Sequence, residues 1–222
     1  VNIMFEKENE IINRYSLKAV SVGRCKGAMM IFTGSDYYLL KEYNGTRKHL
    51  EFEENLRTPE VKHKFRSSIV SYQNNVGKAL VSKGDQVETI RNGEVLVITI
   101  PAYKLFAPNQ VELMETAENV LSPIFTLLNK TGVYKMLLDM HSDNTGNAFY
   151  SESLTNNRVI AVADWAESKG YGTTYITPYS SGRMSPIYRN NSMINRQKNR
   201  RLEIYLVPAD LMIQLAKSNS LK

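Results

Sequence analysis

The sequence predicts an α+β fold in which helices pack on one face of a sheet, preceded by a small β-meander and a long helix. Strand-like and helical segments alternate after residue 86, which is typical of a sheet covered by helices. The dipeptide Asn92-Gly93 separates two apolar runs and predicts a hairpin, because both residue types tolerate positive φ. Hydrophobic residues make up 42% of the chain and charged residues 23%, as in folded rather than disordered proteins.

The first 85 residues are predicted to form a separate unit that begins with the β-meander. Short apolar runs predict its three strands at residues 17–22, 29–32 and 37–43. Gly, Ser, Asp and Asn residues between and after these runs predict the turns.

A long helix is predicted to end this unit, from Thr58 to about Leu80. Thr58 suits the N-cap, Pro59 the first helical position, and Glu60 the positive end of the helix dipole. Apolar residues then recur every three or four positions, which predicts one packed stripe on an otherwise solvated helix.

Residues 86–208 are predicted to form the second domain, which opens with a hairpin of strands 87–90 and 95–100. Apolar periodicity after Pro108 predicts a helix of about 20 residues, with Pro123 as an irregularity. The later elements are predicted as a strand at 134–140, a helix at 149–168, strands at 175–179 and 202–207, and a short helical tail at 209–222.

The composition limits the classes of function. A formal net charge of +6 and a pI of about 9.2 favour acidic partners such as nucleic acid, anionic lipid or an anionic polymer. Cys25 is the single cysteine, which excludes an internal disulfide and a cysteine-rich metal site. No run approaches the roughly 18 apolar residues of a membrane span. The chain begins at Val1 without a leader, which predicts a processed or trimmed chain.

The sequence gives little support for catalysis. The three histidines are His49, His63 and His141, and their spacing fits no metal motif. P-loop, GxGxxG and GxSxG motifs do not occur. His141 follows a predicted strand, where an ordinary hydrogen-bonded histidine is more common than a catalytic base. We therefore expect a protein that is not an enzyme and needs no metal or cofactor.

Basic residues are concentrated between Arg183 and Arg201, where six occur without any acid. A solvated surface and a binding surface are both compatible with this run. Nucleic-acid binding usually adds clustered aromatic residues for stacking, and only Tyr188 lies within the run. Nucleic acid is therefore not the expected partner.

An acid and an arginine are predicted to lie near one rim of the sheet. Asp143 follows the strand at 134–140, and Arg158 lies about two turns into the next helix. Spacing alone leaves two interpretations open, a structural ion pair and a binding site.

Three segments resemble the OmpA-like (OmpA/MotB/Pal-type) peptidoglycan-binding domain. Residues 140–146 are similar to the family's G-H-T-D with a following Gly. Residues 150–158 are similar to its Y-N-x-x-L-S-x-x-R, and the spacing between the acid of the first motif and the arginine of the second is the same as in the family. The family's N-x-T-x-x-G-R-x-x-N-R-R-V-E-I is similar to residues 190–204, and its L-F segment to residues 105–109. The resemblance covers residues 86–208 and implies the family's βαβαβ-type sheet.

The resemblance also implies a binding site. Asp143 and Arg158 would clamp the free end of meso-diaminopimelate in the peptide stem of peptidoglycan. That end carries an ammonium and a carboxylate on one carbon, which an acid and a planar guanidinium match. The remaining groove residues implied by the family are the main chain of Ala107, with Asn109, Thr145, Ser151 and Arg200. For Arg200, a structural role in holding the last strand is the alternative.

The sequence departs from the family pattern at four positions: Met140 for Gly, Ser142 for Thr, Ser151 for Asn and Asn195 for Gly. Ser142 keeps a hydroxyl, whereas Ser151 has a shorter hydrogen-bonding side chain than Asn. Trp165 and Tyr150 are interpreted as packing residues rather than sugar-stacking platforms, because aromatic residues on helices usually face the core.

The expected function is non-covalent binding of peptidoglycan that tethers an outer-membrane or periplasmic component to the cell wall. The resemblance implies a Gram-negative periplasm, with a lipidated or spanning segment before Val1. Residues 1–85 are expected to contact another envelope protein. The alternative is a basic envelope adaptor that binds protein or a polyanion and keeps the fold without binding peptidoglycan.

Overall fold

The chain divides into two compact units, residues 1–55 and residues 56–222. The computed structural model describes residues 21–25, 28–32, 37–39, 51–58 and 61–221. Each unit contains its own sheet, and the residues predicted to bind a ligand all lie in the second.

The first unit contains the predicted meander. Strands β1 (Ser21–Cys25), β2 (Ala28–Phe32) and β3 (Tyr37–Leu39) form an antiparallel sheet in that order. The predicted strand residues 17–20 and 40–43 lie outside the described residues. Within the described ranges, the chain order and antiparallel pairing predicted from the short apolar runs are confirmed.

Helix α1 spans His63–Ser82 and begins later than predicted. The predicted cap at Thr58 is wrong, because the Thr58 hydroxyl donates to Oε2 of Glu94 at 2.7 Å. Lys62 occupies the N-cap position and makes no side-chain capping bond. Residues 59–60 lie outside the described residues. The Thr58 side chain thus bonds a residue distant in sequence instead of capping the helix.

Strands β4 (Gln86–Ile90) and β5 (Val95–Pro101) form the predicted antiparallel hairpin. The turn contains Asn92 at φ 58° and Gly93 at φ 84°, a left-handed conformation that these residue types tolerate well. A Cβ atom at Gly93 would lie 3.1 Å from Val70 of α1. Glycine therefore serves both the turn and its close packing on the helix.

Three further strands complete a five-stranded sheet: β6 (Tyr134–His141), β7 (Ile176–Gly182) and β8 (Arg201–Pro208). The strand order is β4-β5-β8-β6-β7. Only β6 and β7 are parallel among these neighbours, and the other pairs are antiparallel. The last strand of the chain is therefore the central strand of the sheet.

The central position of β8 brings its start beside the end of β6. His141, the last residue of β6, is in register with Arg201, the first residue of β8. Gly182, the last residue of β7, pairs with His141 from the other side. The segments after β6, after β7 and before β8 therefore meet at one end of the sheet.

Four more α-helices occur in the described part of this unit. They are α2 (Ala117–Phe125), α3 (Ala148–Ser168), α4 (Met193–Asn199) and α5 (Asp210–Lys217). The predictions of α3 and of a short C-terminal helix are confirmed, whereas α4 was not predicted. Ser192 was the available signal for α4, since its hydroxyl caps the helix by accepting from the backbone N–H of Asn195 at 3.1 Å.

The predicted helix of about 20 residues after Pro108 is wrong in its first half. Residues before α2 form turns, with Asn109 at φ 59°. The backbone N–H of Met114 donates to the carbonyl of Leu105 at 2.9 Å, which closes residues 105–114 into a loop. The apolar periodicity of this segment did not indicate a helix, because its apolar residues lie in a loop.

The helices pack against one face of the five-stranded sheet, as predicted. Alternating strand residues such as Ile98, Leu138 and Ile204 are fully buried in one core cluster with helix residues. The helix residues of this cluster include Ile69, Leu80, Leu121, Ile124, Val159, Val162 and Met212. No helix within the described ranges is long and apolar enough to cross a bilayer.

Helix α1 belongs to the larger unit, although its sequence predicts a place in the unit of residues 1–85. Ile69 and Leu80 lie in the core cluster of the five-stranded sheet, and the compact units divide before residue 56. The assignment of separate functions to residues 1–85 and 86–208 remains a prediction.

The buried amide of Gln73 joins α1 to the sheet. Its Nε2 donates to the carbonyl of Glu94 at 2.7 Å and to that of Leu206 at 3.4 Å, while its Oε1 accepts from the Tyr134 hydroxyl at 2.7 Å. Burial also raises the pKa of Tyr134, so this hydroxyl stays protonated and donates.

We expect Gln73→Ala to lower the free energy of unfolding by about 2 to 3 kcal/mol, because each buried polar group left unpaired costs about 1 to 3 kcal/mol. The midpoint of urea unfolding would measure this loss. Asn74→Ala, at the exposed next position of the same helix, is the matched control and is expected to cost about 0.5 kcal/mol or less. Equal losses for the two variants would contradict a structural role for the Gln73 amide.

Candidate binding site at the end of strand β6

Asp143 lies in the segment that follows β6 and is buried, with 5% of its surface exposed. The backbone N–H of Ser142 donates to the carbonyl of Gly182 at 2.7 Å, which fixes this segment beside β7. The backbone N–H of Thr145 donates to Oδ1 of Asp143 at 2.7 Å, and Nη1 of Arg200 donates to Oδ2. The carboxylate is therefore held in one orientation by two separate elements.

The Asp143 carboxyl is ionised at neutral pH. Burial acts to raise its pKa, but hydrogen bonds from Thr145 and the hydrogen bond and charge of Arg200 outweigh burial and hold the pKa below its ordinary value. The group can therefore attract a cation at the pH of any ordinary cellular compartment.

Arg158 projects from α3 and is also buried, with 6% of its surface exposed. Its Nε donates to the carbonyl of Gln110 at 2.8 Å, and its Nη2 donates to the carbonyl of Ala107 at 3.1 Å. Its Cζ lies 4.8 Å from the centroid of the Phe106 ring, within the range of a cation–π interaction. The loop that replaces the predicted helix thus positions this guanidinium.

Asp143 and Arg158 form no ion pair with each other; the salt bridge of Asp143 is to Arg200. The structural-pair interpretation of Asp143 with Arg158 is therefore wrong. Burial lowers the pKa of Arg158, and the nearby charge of Arg200 lowers it further. Arg200 thus pairs with Asp143, and its charge also acts on Arg158.

Arg200 has structural contacts in the folded domain, and its contact with a ligand remains a prediction. It follows α4 directly, and its carbonyl accepts from the backbone N–H of Ala102 at 2.9 Å. Its side chain is 43% exposed while it pairs with Asp143. The main chain thus serves the structure, and the side chain remains accessible to a ligand.

Ser151 and Ala107 already have partners inside the domain. The Ser151 hydroxyl donates to the carbonyl of Asn147 at 3.1 Å and the residue is buried. The Ala107 carbonyl is the acceptor for Arg158. Asn109 lies exposed at positive φ in the same loop. Contacts of these three residues with a ligand remain predictions.

The aromatic residues of α3 differ in environment. Trp165 packs edge-on against Phe125, with ring centroids 5.3 Å apart, so its predicted packing role is confirmed. The packing interpretation of Tyr150 is wrong, because half of its surface is exposed. Phe149 beside it is 81% exposed, at the first turn of α3 and six residues beyond Asp143.

An open groove that the sequence does not predict adjoins Asp143. Thr145, Met193, Arg196 and Arg200 line it. Arg196 and Arg200 are one helical turn apart in and after α4. The run of basic residues was visible in the sequence, but the unpredicted helix is what aligns these two along one groove.

A buried ionic cluster lies on the face of β6 and β8 that points away from the helices. Nε2 of His141 lies 3.3 Å from Oδ2 of Asp139 and from Oε2 of Glu203. This buried position between two carboxylates supports the interpretation of His141 as an ordinary structural histidine rather than a catalytic base. In the described ranges no group of His, Cys, Asp and Glu has the arrangement of a metal site.

Glu203 has a lowered pKa despite its burial in this cluster. Burial alone would raise its pKa, but contacts with His141, Arg201 and the Tyr205 hydroxyl lower it to about 2. Nε of Arg201 donates to Oε1 of Glu203 at 2.7 Å, and its other nitrogens donate to the carbonyls of Asn199 and Ser185, each at 3.1 Å. Arg201 and Glu203 are therefore bonded within the domain, which indicates a structural role for this pair.

Comparison with known proteins shows a family resemblance over part of the chain. Residues 105–200 match the model of the OmpA family. The chain is 30% identical over 103 residues to the lipoprotein YfiB of Escherichia coli (strain K12), and 30% identical over 106 residues to the outer-membrane lipoprotein YfiB of Pseudomonas aeruginosa. The matches cover 46% and 48% of this chain and 64% and 62% of the relatives, so the chain spans less than two thirds of their length.

Solved structures share the fold. A MotB-like protein from Desulfovibrio vulgaris superposes with a TM-score of 0.57 at 20% identity, covering 66% of this chain and 96% of that protein. The cell wall anchor of the T6SS from Pseudomonas aeruginosa superposes with a TM-score of 0.51 at 24% identity, covering 64% of this chain and 97% of that protein. The predicted α+β fold of the second domain is confirmed by these likenesses.

Proposed function

We propose that the chain binds peptidoglycan non-covalently through the peptide stem, and the match of residues 105–200 to the OmpA family model supports this proposal. Asp143 binds the ammonium of the diaminopimelate side chain, and Arg158 binds the carboxylate on the same carbon. The protein acts as an anchor and catalyses no reaction.

The observation that carries this proposal is the convergence of Asp143, Arg158 and Arg200. Asp143 and Arg158 are both buried; Asp143 pairs with Arg200, whereas Arg158 has no carboxylate partner among the described residues. A buried guanidinium is costly unless it is matched. The carboxylate at the free end of diaminopimelate would match Arg158, and the ammonium on the same carbon would bind Asp143.

The hydrogen bonds at the site leave donors and acceptors for this ligand. Arg158 uses Nε and Nη2 for main-chain carbonyls, and no hydrogen bond from its Nη1 occurs among the described residues. A guanidinium bound in this way cannot rotate, so its remaining donors are preorganised for a carboxylate. Asp143 keeps further lone pairs beyond those that Thr145 and Arg200 occupy.

A role in the cell envelope follows from the same proposal. The relatives are lipoproteins, one of them of the outer membrane, and one structural neighbour is a cell wall anchor. We assign this chain to the periplasm, in association with the outer membrane, where it would hold an envelope component to the wall. Residues 1–85 would supply the contact with that component.

The test compares stem peptides that contain either diaminopimelate or lysine at the third position. Lysine lacks the carboxylate that Arg158 would bind, so we expect calorimetry to show at least about tenfold weaker binding of the lysine peptide, since a charge-assisted hydrogen bond is worth about 1.5 to 3 kcal/mol. Equal affinities of the folded protein for both peptides would contradict the assignment.

The basic envelope adaptor remains the second candidate, because Arg183, Arg189 and Lys198 are exposed. An adaptor for polyanions would lose affinity steeply as salt rises, since binding releases counterions. The diaminopimelate site is partly buried and is expected to retain binding at moderate salt. Repeating the titration at about 50 and 200 mM salt distinguishes the two.

A further inference from the structure

The groove beside Asp143 has a positive charge that the proposed clamp does not use. Thr145, Met193, Arg196 and Arg200 line it. Of these, Arg200 pairs with Asp143, and Thr145 donates to the same carboxylate. The groove is therefore continuous with the clamp through two shared residues.

Arg196 is the unmatched charge of the groove. It lies half-buried on α4, and its Nη1 donates to the carbonyl of Asn190 at 3.2 Å. Among the described residues no carboxylate lies within ion-pair distance of its guanidinium. The nearest sequence offers none, because no acid occurs between Arg183 and Arg201.

The charges of the combined site do not balance for a zwitterionic ligand. The site contains the three guanidinium groups of Arg158, Arg196 and Arg200 against the single carboxylate of Asp143. The end of the diaminopimelate side chain carries one positive and one negative charge, so its binding leaves the excess unchanged. A ligand that fits the whole site must bring further negative charge.

We propose that the groove is a second subsite, in which Arg196 binds another carboxylate of the same stem peptide; this rests on the proposed function. A stem carries such groups in two places, the α-carboxylate of D-glutamate, which is free because the chain continues through the γ-carboxyl, and the C-terminal carboxylate. A guanidinium with a planar fork suits either. The exposed side chain of Met193 contacts the apolar part of the stem beside it.

The ligand-side test amidates either the D-glutamate α-carboxylate or the C-terminal carboxylate of a diaminopimelate-containing tetrapeptide stem. Calorimetric titration of the parent protein is expected to show about tenfold weaker binding for one of the two amidated stems, and this stem identifies the carboxylate in the groove. The protein is unaltered in this comparison, so a folding defect cannot mimic the result.

The protein-side test uses Arg196→Gln, with Lys198→Gln as the matched control. Both remove one positive charge from α4, but Lys198 lies over the Tyr188 ring, 4.6 Å from its centroid, and does not line the groove. Arg196→Gln is expected to weaken the unmodified stem about tenfold and to bind the sensitive amidated stem as the parent does. The control is expected to change affinity less than about twofold, because exposed charges are screened.

The outcomes separate this inference from the function on which it rests. Binding of the stem that depends on the diaminopimelate carboxylate, but is indifferent to both amidations and to Arg196→Gln, would overturn the second subsite alone. No binding of any stem by the folded parent would overturn the proposed function and the subsite together. Equal weakening by Arg196→Gln and Lys198→Gln would show that the groove attracts the stem only through its overall positive charge, and this would overturn the subsite.

Discussion

Asp143→Ala is expected to weaken binding of a diaminopimelate-containing stem by about a hundredfold or more, because truncating one partner of a buried, hydrogen-bonded charge pair costs about 2 to 5 kcal/mol. The substitution removes the acceptor for the ligand ammonium and also releases Arg200, which is hydrogen-bonded to Asp143 in the unliganded protein. Calorimetric titration of the variant and the parent with the same stem measures the loss.

Arg158→Ala is expected to weaken binding by a similar factor, because it removes the donor for the ligand carboxylate. Its guanidinium donates to the carbonyls of Gln110 and Ala107 and stacks on Phe106, so its loss also loosens the loop of residues 105–114. Arg158→Lys keeps the charge and loses the planar fork, and we expect it to bind weakly rather than not at all.

Two controls separate binding from folding in these variants. Asp143→Asn keeps the shape of the side chain and can still accept from Thr145, so a loss of affinity as large as that of Asp143→Ala would assign the effect to charge. Urea unfolding shows whether each variant is folded. Folded Asp143→Ala and Arg158→Ala variants that bind the stem as tightly as the parent would exclude the clamp.

Arg201→Leu is expected to destabilise the protein by about 3 to 5 kcal/mol, because removing one partner of a buried ion pair leaves the other charge unmatched. Arg201 is 2% exposed and donates to Glu203 and to the carbonyls of Asn199 and Ser185. Urea unfolding at neutral pH measures the loss. Arg189→Leu, which removes the same charge at an exposed position, is expected to change stability by about 0.5 kcal/mol or less.

The same variant is expected to unfold at a higher pH on acidification. The pKa of Glu203 is about 2 in the folded protein against an ordinary value of 4.5, so its contribution to stability is complete above about pH 4.5 and is lost as the pH falls towards 2. Removing Arg201 raises the pKa of Glu203 in the folded protein, so the variant loses less stability than the parent between about pH 4.5 and 2. Because the variant is already less stable at neutral pH, it reaches its unfolding midpoint at a higher pH. Burial raises the pKa of Asp139, which acts in the opposite sense in parent and variant alike.

The double variant Arg201→Leu with Glu203→Gln is the internal control for this pair. Replacing both charged partners costs much less than removing one, so we expect it to regain part of the stability lost in Arg201→Leu. A double variant less stable than Arg201→Leu would show that Glu203 stabilises the fold independently of Arg201. The expected recovery would assign the loss to the unpaired Glu203 carboxylate.

The sequence by itself determined the features that depend on residues close together in the chain. The hairpin at Asn92 and Gly93 follows from the φ angles that these residues tolerate. Helix α3 and strands β6 and β8 follow from their periodicity. The α+β architecture and the resemblance of residues 86–208 to OmpA-like domains follow from local patterns that recur in fixed order.

Only the tertiary structure decided the features that depend on competition between distant partners. Thr58 bonds Glu94 rather than capping α1, and residues 105–114 form a loop around Arg158 where periodicity predicted a helix. Local signals cannot anticipate either result, since a side chain takes the partner that the folded chain brings to it.

The site itself divides in the same way. The sequence singled out Asp143 and Arg158, because their residue types and spacing resemble a family motif. It did not indicate that Arg200 is the ion-pair partner of Asp143, or that Arg196 lines a groove beside it. Those relations exist because β8 inserts between β5 and β6 and carries α4 to the end of β6. Strand order is a property of the whole sheet, and no segment of the sequence contains it.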